Sequence, residues 1–200
     1  DVVHTFSRGE IRHVHSVTWD PYQQLLWVLT GDYGDECRIL TASPDFRDVD
    51  TVIRGDQQAR AATCLPTERA LYFATDTHIA QNRIYRLDRS GHLETLETLE
   101  GSSLQSCRVG DNLIFSTAVE PSKVNTSRFV TLVGSTDGAS WDVLTRWRKD
   151  RLPGGLFQFG NAVLPTGHND TDLLAATGVA VSGQDQATSI WRIQSRDLNP

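Results

Sequence analysis

His13 and His15 stand two residues apart in HVHSVTW, a run whose alternation predicts a strand, so both imidazoles project from the same side. Such a pair needs further partners to hold a metal, and Asp32, Asp76 and Glu120 are the carboxylates within reach. Hydrogen-bonded structural histidines are the competing reading. No cofactor is assigned, and a metal at His13 and His15 is kept as the minor alternative. The three acids follow consecutive apolar runs that end in Thr30, Thr75 and Thr117, which brings them to one end of the molecule. Paired carboxylates there suit general acid and base, or acid and nucleophile, in glycoside hydrolysis. An Asp after Thr also ends a strand through an Asx turn, with no chemistry implied. Pro121 holds Glu120 extended, leaving a rigid loop carboxylate. The candidate catalytic set is therefore His15, Asp32, Asp76 and Glu120. Around it Arg12, His13, Tyr33, Gln58, Arg60 and Asn82 are candidate substrate-binding groups. Arg12 and Arg60 suit the carboxylate or sulfate of an acidic sugar, or an ion pair with a loop acid, and Tyr33 suits stacking on a sugar ring.

The elements that must position these residues are strands. At an offset of about 45 residues, Pro21 coincides with Pro66, Thr30 with Thr75, Arg38 with Arg83 and Ile39 with Ile84. That period and the absence of any helical pattern predict an all-β chain, a single β-propeller domain over 1–200 made of four-stranded antiparallel blades. Blades are expected at about 11–56, 57–101, 102–150 and 155–194. Their strands are HVHSVTW, LLWVLT, CRILTA and DVDTVI; RAATCL, ALYFAT, NRIYRL and LETLETL; SLQSCRV, NLIFSTA, SRFVTLVG and WDVLTRW; then LFQFGNAVL, DLLAAT and ATSIWRI. The fourth copy ends in polar SRDLNP without an obvious fourth strand. Residues 1–6, DVVHTF, are expected as a strand of a preceding or closing blade. About four blades are present, in a small ring or as part of a six- or seven-bladed one. Trp19, Trp27, Trp147 and Trp191 are expected in the core or in packing between blades. In a meander, the links between blades and those from second to third strands emerge on one face, which carries all the candidate site residues.

Ser135, Asp137, Gly138 and Trp141 form S-x-D-G-x-x-W, which resembles the Asp-box, or BNR repeat, of sialidase-like β-propellers. Ser43-Pro44-Asp45 is a degenerate half of it, and the outer turn of the second blade, Arg89 to His92, lacks it. The chain is similar to uncharacterised bacterial propellers of that superfamily over most of residues 11–194. The resemblance implies a glycan-directed protein, a glycoside hydrolase or lyase acting on an acidic sugar. It equally implies a non-catalytic propeller that docks a protein or polysaccharide through its charged loop face. Sialidases carry an Arg-Ile-Pro segment. Here Arg38-Ile39-Leu40 and Arg83-Ile84-Tyr85 lie on third strands, so the sialidase catalytic set does not carry over.

A net charge of −6 and the lack of any basic run argue against a nucleic-acid or anionic-membrane partner. Carbohydrate or polysaccharide, or a protein, remains as the partner. No apolar run reaches 18 residues, so no membrane-spanning helix is expected. Cys37, Cys64 and Cys107 are odd in number and set in apolar strands, which predicts buried reduced thiols. That favours the cytoplasm slightly, although a removed leader would leave the compartment open. Asn125-Thr126-Ser127 and Asn169-Asp170-Thr171 match the glycosylation sequon by chance.

Overall fold

The computed structural model describes residues 1–193, and among them regular structure is strand apart from two single turns of 3-10 helix, Gly34–Glu36 and Gln57–Ala59. The final residue of the fourth predicted repeat and the SRDLNP end lie outside the described residues. β1 (Val14–Asp20), β2 (Leu25–Thr30), β3 (Arg38–Ala42) and β4 (Val49–Arg54) form an antiparallel meander. β5 (Ala61–Pro66), β6 (Ala70–Thr75), β7 (Arg83–Asp88) and β8 (Leu93–Thr98) form the second. β9 (Ser103–Val109), β10 (Asn112–Thr117), β11 (Phe129–Ser135) and β12 (Asp142–Arg148) form the third. β13 (Asn161–Val163), β15 (Leu173–Val179) and β16 (Thr188–Arg192) form a three-stranded fourth sheet. β14 (His168–Asn169), unforeseen in the sequence, adds in parallel to the inner edge of β9. There Arg108 and Gly110 donate their N–H groups to Gly167 and Asn169 carbonyls, satisfying an edge otherwise left open.

The repeat extends to the irregularities. Three inner strands each carry one extra residue at the same place in the register, His15, Ala62 and Leu104. Three outer strands do the same at Val52, Leu96 and Leu144. A bulge re-aims the inserted side chain. His15, Ala62 and Leu104 accordingly line a common cavity of about 450 Å³ along β1, β5 and β9. The recurring threonines have one job. Thr30 Oγ1 donates to Glu36 O at 2.9 Å, Thr75 Oγ1 accepts from Arg83 N at 2.9 Å, and Thr117 Oγ1 accepts from Thr131 N at 3.0 Å. Each ties the end of a second strand to the chain entering the third.

The sheets pack face against face. Trp27, Leu29 and Ile39 meet Leu71, Phe73 and Tyr85 between the first and second sheets. Leu65, Tyr72 and Ile84 meet Leu113, Phe115 and Val133 between the second and third. Ile114, Val130 and Leu132 meet Ala162, Leu174 and Ala176 between the third and fourth, with Trp147 stacked on Trp191 at 5.9 Å. Strand β6, packed on both faces, is buried throughout, whereas the outer strand β12 is mostly exposed. Each fully buried Phe or Leu contributes about 1.5–3 kcal/mol.

Three expectations change here. Residues 1–6 form no strand; Phe6 instead packs beside Phe46 on the cluster of Val28, Leu40 and Ala42, and His4 stacks on Phe46. Trp19 is not in a core, because it faces the open side of β1 at 46% exposure. The predicted strand LFQFGNAVL shrinks to Asn161–Val163, with Leu156 and Phe157 exposed. Cys37, Cys64 and Cys107 are free and buried, and burial pushes their thiols up to about 11, 12 and 12. No helix among the described residues is long and apolar enough to cross a membrane.

At the outer turn of the third sheet, Asp137 Oδ1 accepts from Ala139 N and Ser140 N, both at 2.8 Å, and Ser135 Oγ accepts from Gly138 N at 2.9 Å. Gly138 lies at φ +70°, and a Cβ there would stand 2.2 Å from the Tyr72 hydroxyl of the neighbouring sheet. Trp141 packs against Phe115 and Tyr72, so the turn also clamps two sheets together. The half-motif at Ser43 keeps part of this network: Ser43 Oγ donates to Asp45 Oδ1, as Ser135 Oγ does to Asp137 Oδ1, and Asp45 Oδ1 accepts from Arg47 N, with Phe46 at φ +56° where Gly138 stands in the other copy. In the second sheet Asp88 Oδ1 takes over, accepting from Ser90 N and His92 N. Backbone N–H groups of Ser140 and Ala139 hold the Asp137 carboxyl down at about 2. Its stabilisation is present above the ordinary Asp value of 3.8 and is lost as pH falls through the folded value. The carboxylate is exposed, so solvent trims its worth. Asp137→Ala is expected to lower stability by about 1 kcal/mol in denaturant titration at pH 7, with the deficit vanishing in strong acid.

Candidate functional site

Chain entering β1 and β5, together with the links β2–β3, β6–β7 and β10–β11, comes to one end of the sheets. Gly31 makes the first of these links possible. It lies at φ +79°, and a Cβ would stand 1.9 Å from Glu36 O, so only glycine lets the chain turn and present Asp32. Asp32 Oδ2 is 3.5 Å from His13 Nδ1, and Oδ1 is 3.8 Å from His15 Nε2. The two imidazoles meet edge to face, with ring centres 4.3 Å apart. His15 Nε2 lies 2.9 Å from Gly31 O.

Arg60 sits at the centre. One terminal nitrogen is 3.4 Å from Asp32 Oδ1 and 3.5 Å from Asp76 Oδ2. The other donates to His78 Nδ1 at 2.9 Å. A guanidinium only donates, so neutral His78 carries its proton on Nε2 and gives it to Tyr33 Oη, 3.2 Å away. Tyr33 is 40% exposed and has the Arg12 guanidinium 5.2 Å and the Arg60 guanidinium 5.8 Å from its ring centre. Arg12 also reaches Glu36 at 3.3 Å. Arg60 Nε is buried with no partner, an unspent donor inside the cluster. Burial and the Asp76 charge push the Glu120 carboxyl above the ordinary range, and Arg60 pulls it the other way. Glu120 thus shares the electrostatic neighbourhood of Asp76 and Arg60.

Of the residues singled out in the sequence, Arg12, His13, His15, Asp32, Tyr33, Arg60, Asp76 and Glu120 come together. Gln58 forms no side-chain hydrogen bond among the described residues. Its neighbour Gln57 does the work, donating to Asp32 O at 3.2 Å and accepting from Thr77 Oγ1 at 2.5 Å. Asn82 is corrected: it is fully buried, and its amide is used up within the protein. Its oxygen accepts from Thr77 N and Thr75 Oγ1, and its nitrogen donates to Thr77 O and to Asn125 Oδ1 at 2.8 Å. Asn125 is buried in the same lock, donating to Thr77 O and Ser102 Oγ, which occupies the sequon asparagine. His78, in the same link as Asp76, is not among the residues singled out in the sequence. Beyond Pro121 opens a cavity of about 860 Å³ whose wall includes Arg128, Arg148, Lys149 and Arg151.

No protein family and no curated protein matches the chain. Among solved structures it is similar to a prolyl endopeptidase, from a structural and mechanistic analysis of two such enzymes concerned with inter-domain dynamics in catalysis and specificity. The TM-score is 0.56 at 16% identity, over 96% of this chain and 28% of that one. The chain therefore spans under a third of that protein's length. At this identity the likeness concerns the fold alone.

Proposed function

We infer that the four sheets are blades of a β-propeller, and that the Arg60 cluster is the ligand site of a glycan-directed protein acting on acidic sugars as a glycoside hydrolase or lyase. One observation carries the reading. Asp32 and Asp76 approach the same nitrogen of Arg60 at 3.4 and 3.5 Å. Their oxygens are then no more than about 7 Å apart, within the span over which carboxyl pairs work on a glycosidic bond. Glu120, raised by burial and by the Asp76 charge, is the proton donor, and Asp32 and Asp76, both paired with Arg60, supply its counterpart as base or nucleophile. Tyr33 offers an exposed ring for a sugar to stack on, and the basic wall of the cavity past Pro121 suits uronate or sulfate groups.

The test is hydrolysis or elimination of uronate-containing oligosaccharides, followed as new reducing ends or unsaturated product. The wild type is expected to turn over, and Arg148→Ala with Arg151→Ala to weaken binding about tenfold without changing turnover at saturation. A second reading has its own support, since Arg60 already neutralises the acids it touches. In that case the same face docks a polysaccharide or protein without chemistry. Binding without turnover in the wild type assigns the docking role; neither binding nor turnover removes the glycan reading.

A further inference from the structure

We propose that His13, His15 and Asp32 form a divalent-cation site, best matched to Zn²⁺. One ligand atom from each lies within 4.8 Å of the others, and no other group of three His, Cys, Asp or Glu among the described residues does this. Around a metal with bonds of 2.0–2.1 Å, tetrahedral neighbours lie about 3.4 Å apart. Asp32 Oδ2 stands 3.5 Å from His13 Nδ1 and Oδ1 3.8 Å from His15 Nε2, and no pair of the three ligand atoms exceeds 4.8 Å, so side-chain adjustment alone closes them on a metal.

The sequence explains why the atoms converge. Were β1 regular from its first residue, alternation would send His13 and His15 outward in parallel. Instead β1 starts at Val14, His13 sits just ahead of it, and His15 is the bulged residue opposite no partner. The two rings therefore tilt toward each other at 4.3 Å, with Asp32 delivered by the turn at Gly31. His15 Nε2 lies 2.9 Å from Gly31 O, and the tautomer with its proton on Nδ1 would leave Nε2 to hold the metal. Arg60 orients Asp32 by holding Oδ1, which leaves Oδ2 turned to His13. Its charge does not repel a cation outright, because Asp32, Asp76 and Glu120 share it.

Two imidazoles and one carboxylate select a borderline transition metal over Mg²⁺ or Ca²⁺, which prefer oxygen. Three protein ligands leave a position for water or an oxygen of a ligand, and His13, with half its side chain exposed, lies on the solvent side. This site uses none of the Glu120 chemistry above and stands without it.

The experiment is calorimetric titration of the metal-stripped protein with Zn²⁺ alone. One equivalent is expected to bind, and both His15→Ala and Asp32→Asn are expected to weaken it at least a hundredfold. His168→Ala, which removes an exposed histidine paired with Asp170, leaves binding unchanged. His13→Ala, whose ring is half exposed, serves where the partly buried variants fold poorly, as judged by near-ultraviolet circular dichroism. Absence of stoichiometric binding in the folded wild type overturns the site. So does undiminished binding in folded His13→Ala and Asp32→Asn.

Discussion

Asp20→Ala is expected to cost about 3 kcal/mol of unfolding free energy. Asp20 is fully buried in the first turn of the first sheet. One oxygen accepts from Tyr22 N at 3.0 Å and Gln23 N at 3.2 Å; the other accepts from Trp27 Nε1 at 3.0 Å and Arg89 at 2.7 Å. Arg89 comes from the outer turn of the second sheet and also reaches Thr67 O and Gln23 Oε1, so a single carboxylate joins three turns. Alanine leaves a guanidinium, an indole N–H and two backbone N–H groups without their acceptor in a site short of water. Thermal melting is expected to fall by about 6–12 °C for a chain of this size. Burial opposes ionisation of Asp20, but the bonds from Trp27 and Arg89 outweigh it and bring the carboxyl below the ordinary range. Its contribution is therefore present above 3.8 and fades as pH drops through the folded value. Arg89→Ala in the Asp20→Ala background should add little, since the first change already breaks the pair. Additive losses would show that the two act separately.

Nothing local in Asp20-Pro21-Tyr22-Gln23 marks that role, because the partner lies 69 residues on. The same limit explains Asn82. A polar residue in a loop on the charged face reads as a ligand contact, yet its partner Asn125 is 43 residues away and the pair closes on itself. What was legible was whatever repeats. Thr30, Thr75 and Thr117 recur because each bonds across to the incoming strand, and the strand pattern around them located the sheets to within a few residues. The site's membership was mostly legible from loop alternation, but its depth was not. Backbone bonds make Gly31, Asp76 and Ala118 the equivalent positions, as their N–H groups donate to His13, Arg60 and Ser102 carbonyls. Asp32 and Glu120 thus sit one and two residues beyond the place that Asp76 occupies. Bulges were invisible as well, since an inserted residue preserves alternation on either side of itself. Gln57 and Gln58 stand in a 3-10 turn and not a strand, so alternation says nothing of which of the two holds the cluster together.

Glu120→Gln separates the work of the proposed site from its cost to folding, because the two effects should have opposite signs. The glutamine keeps the shape and hydrogen-bonding reach of a neutral carboxyl but has no proton to give. Turnover of an acidic oligosaccharide is expected to fall by about 10²–10⁴, the usual worth of a general acid, while Kd changes little. Stability should move the other way. Burial and the Asp76 charge raise the Glu120 carboxyl above 4.5, so the folded state holds that proton more tightly than the unfolded chain. The stabilisation this gives is complete below 4.5 and is lost as pH climbs through the folded value. Once ionised, the wild-type carboxyl is an anion that its own surroundings disfavour; the amide carries no charge at any pH. The variant's unfolding midpoint should match the wild type below 4.5 and exceed it once pH has climbed through the folded value. A variant that is less stable at pH 7 and equally active would mean that Glu120 is an ordinary loop acid held by contacts of its own. A more stable and inactive one is the signature of a carboxyl retained for chemistry at the expense of the fold.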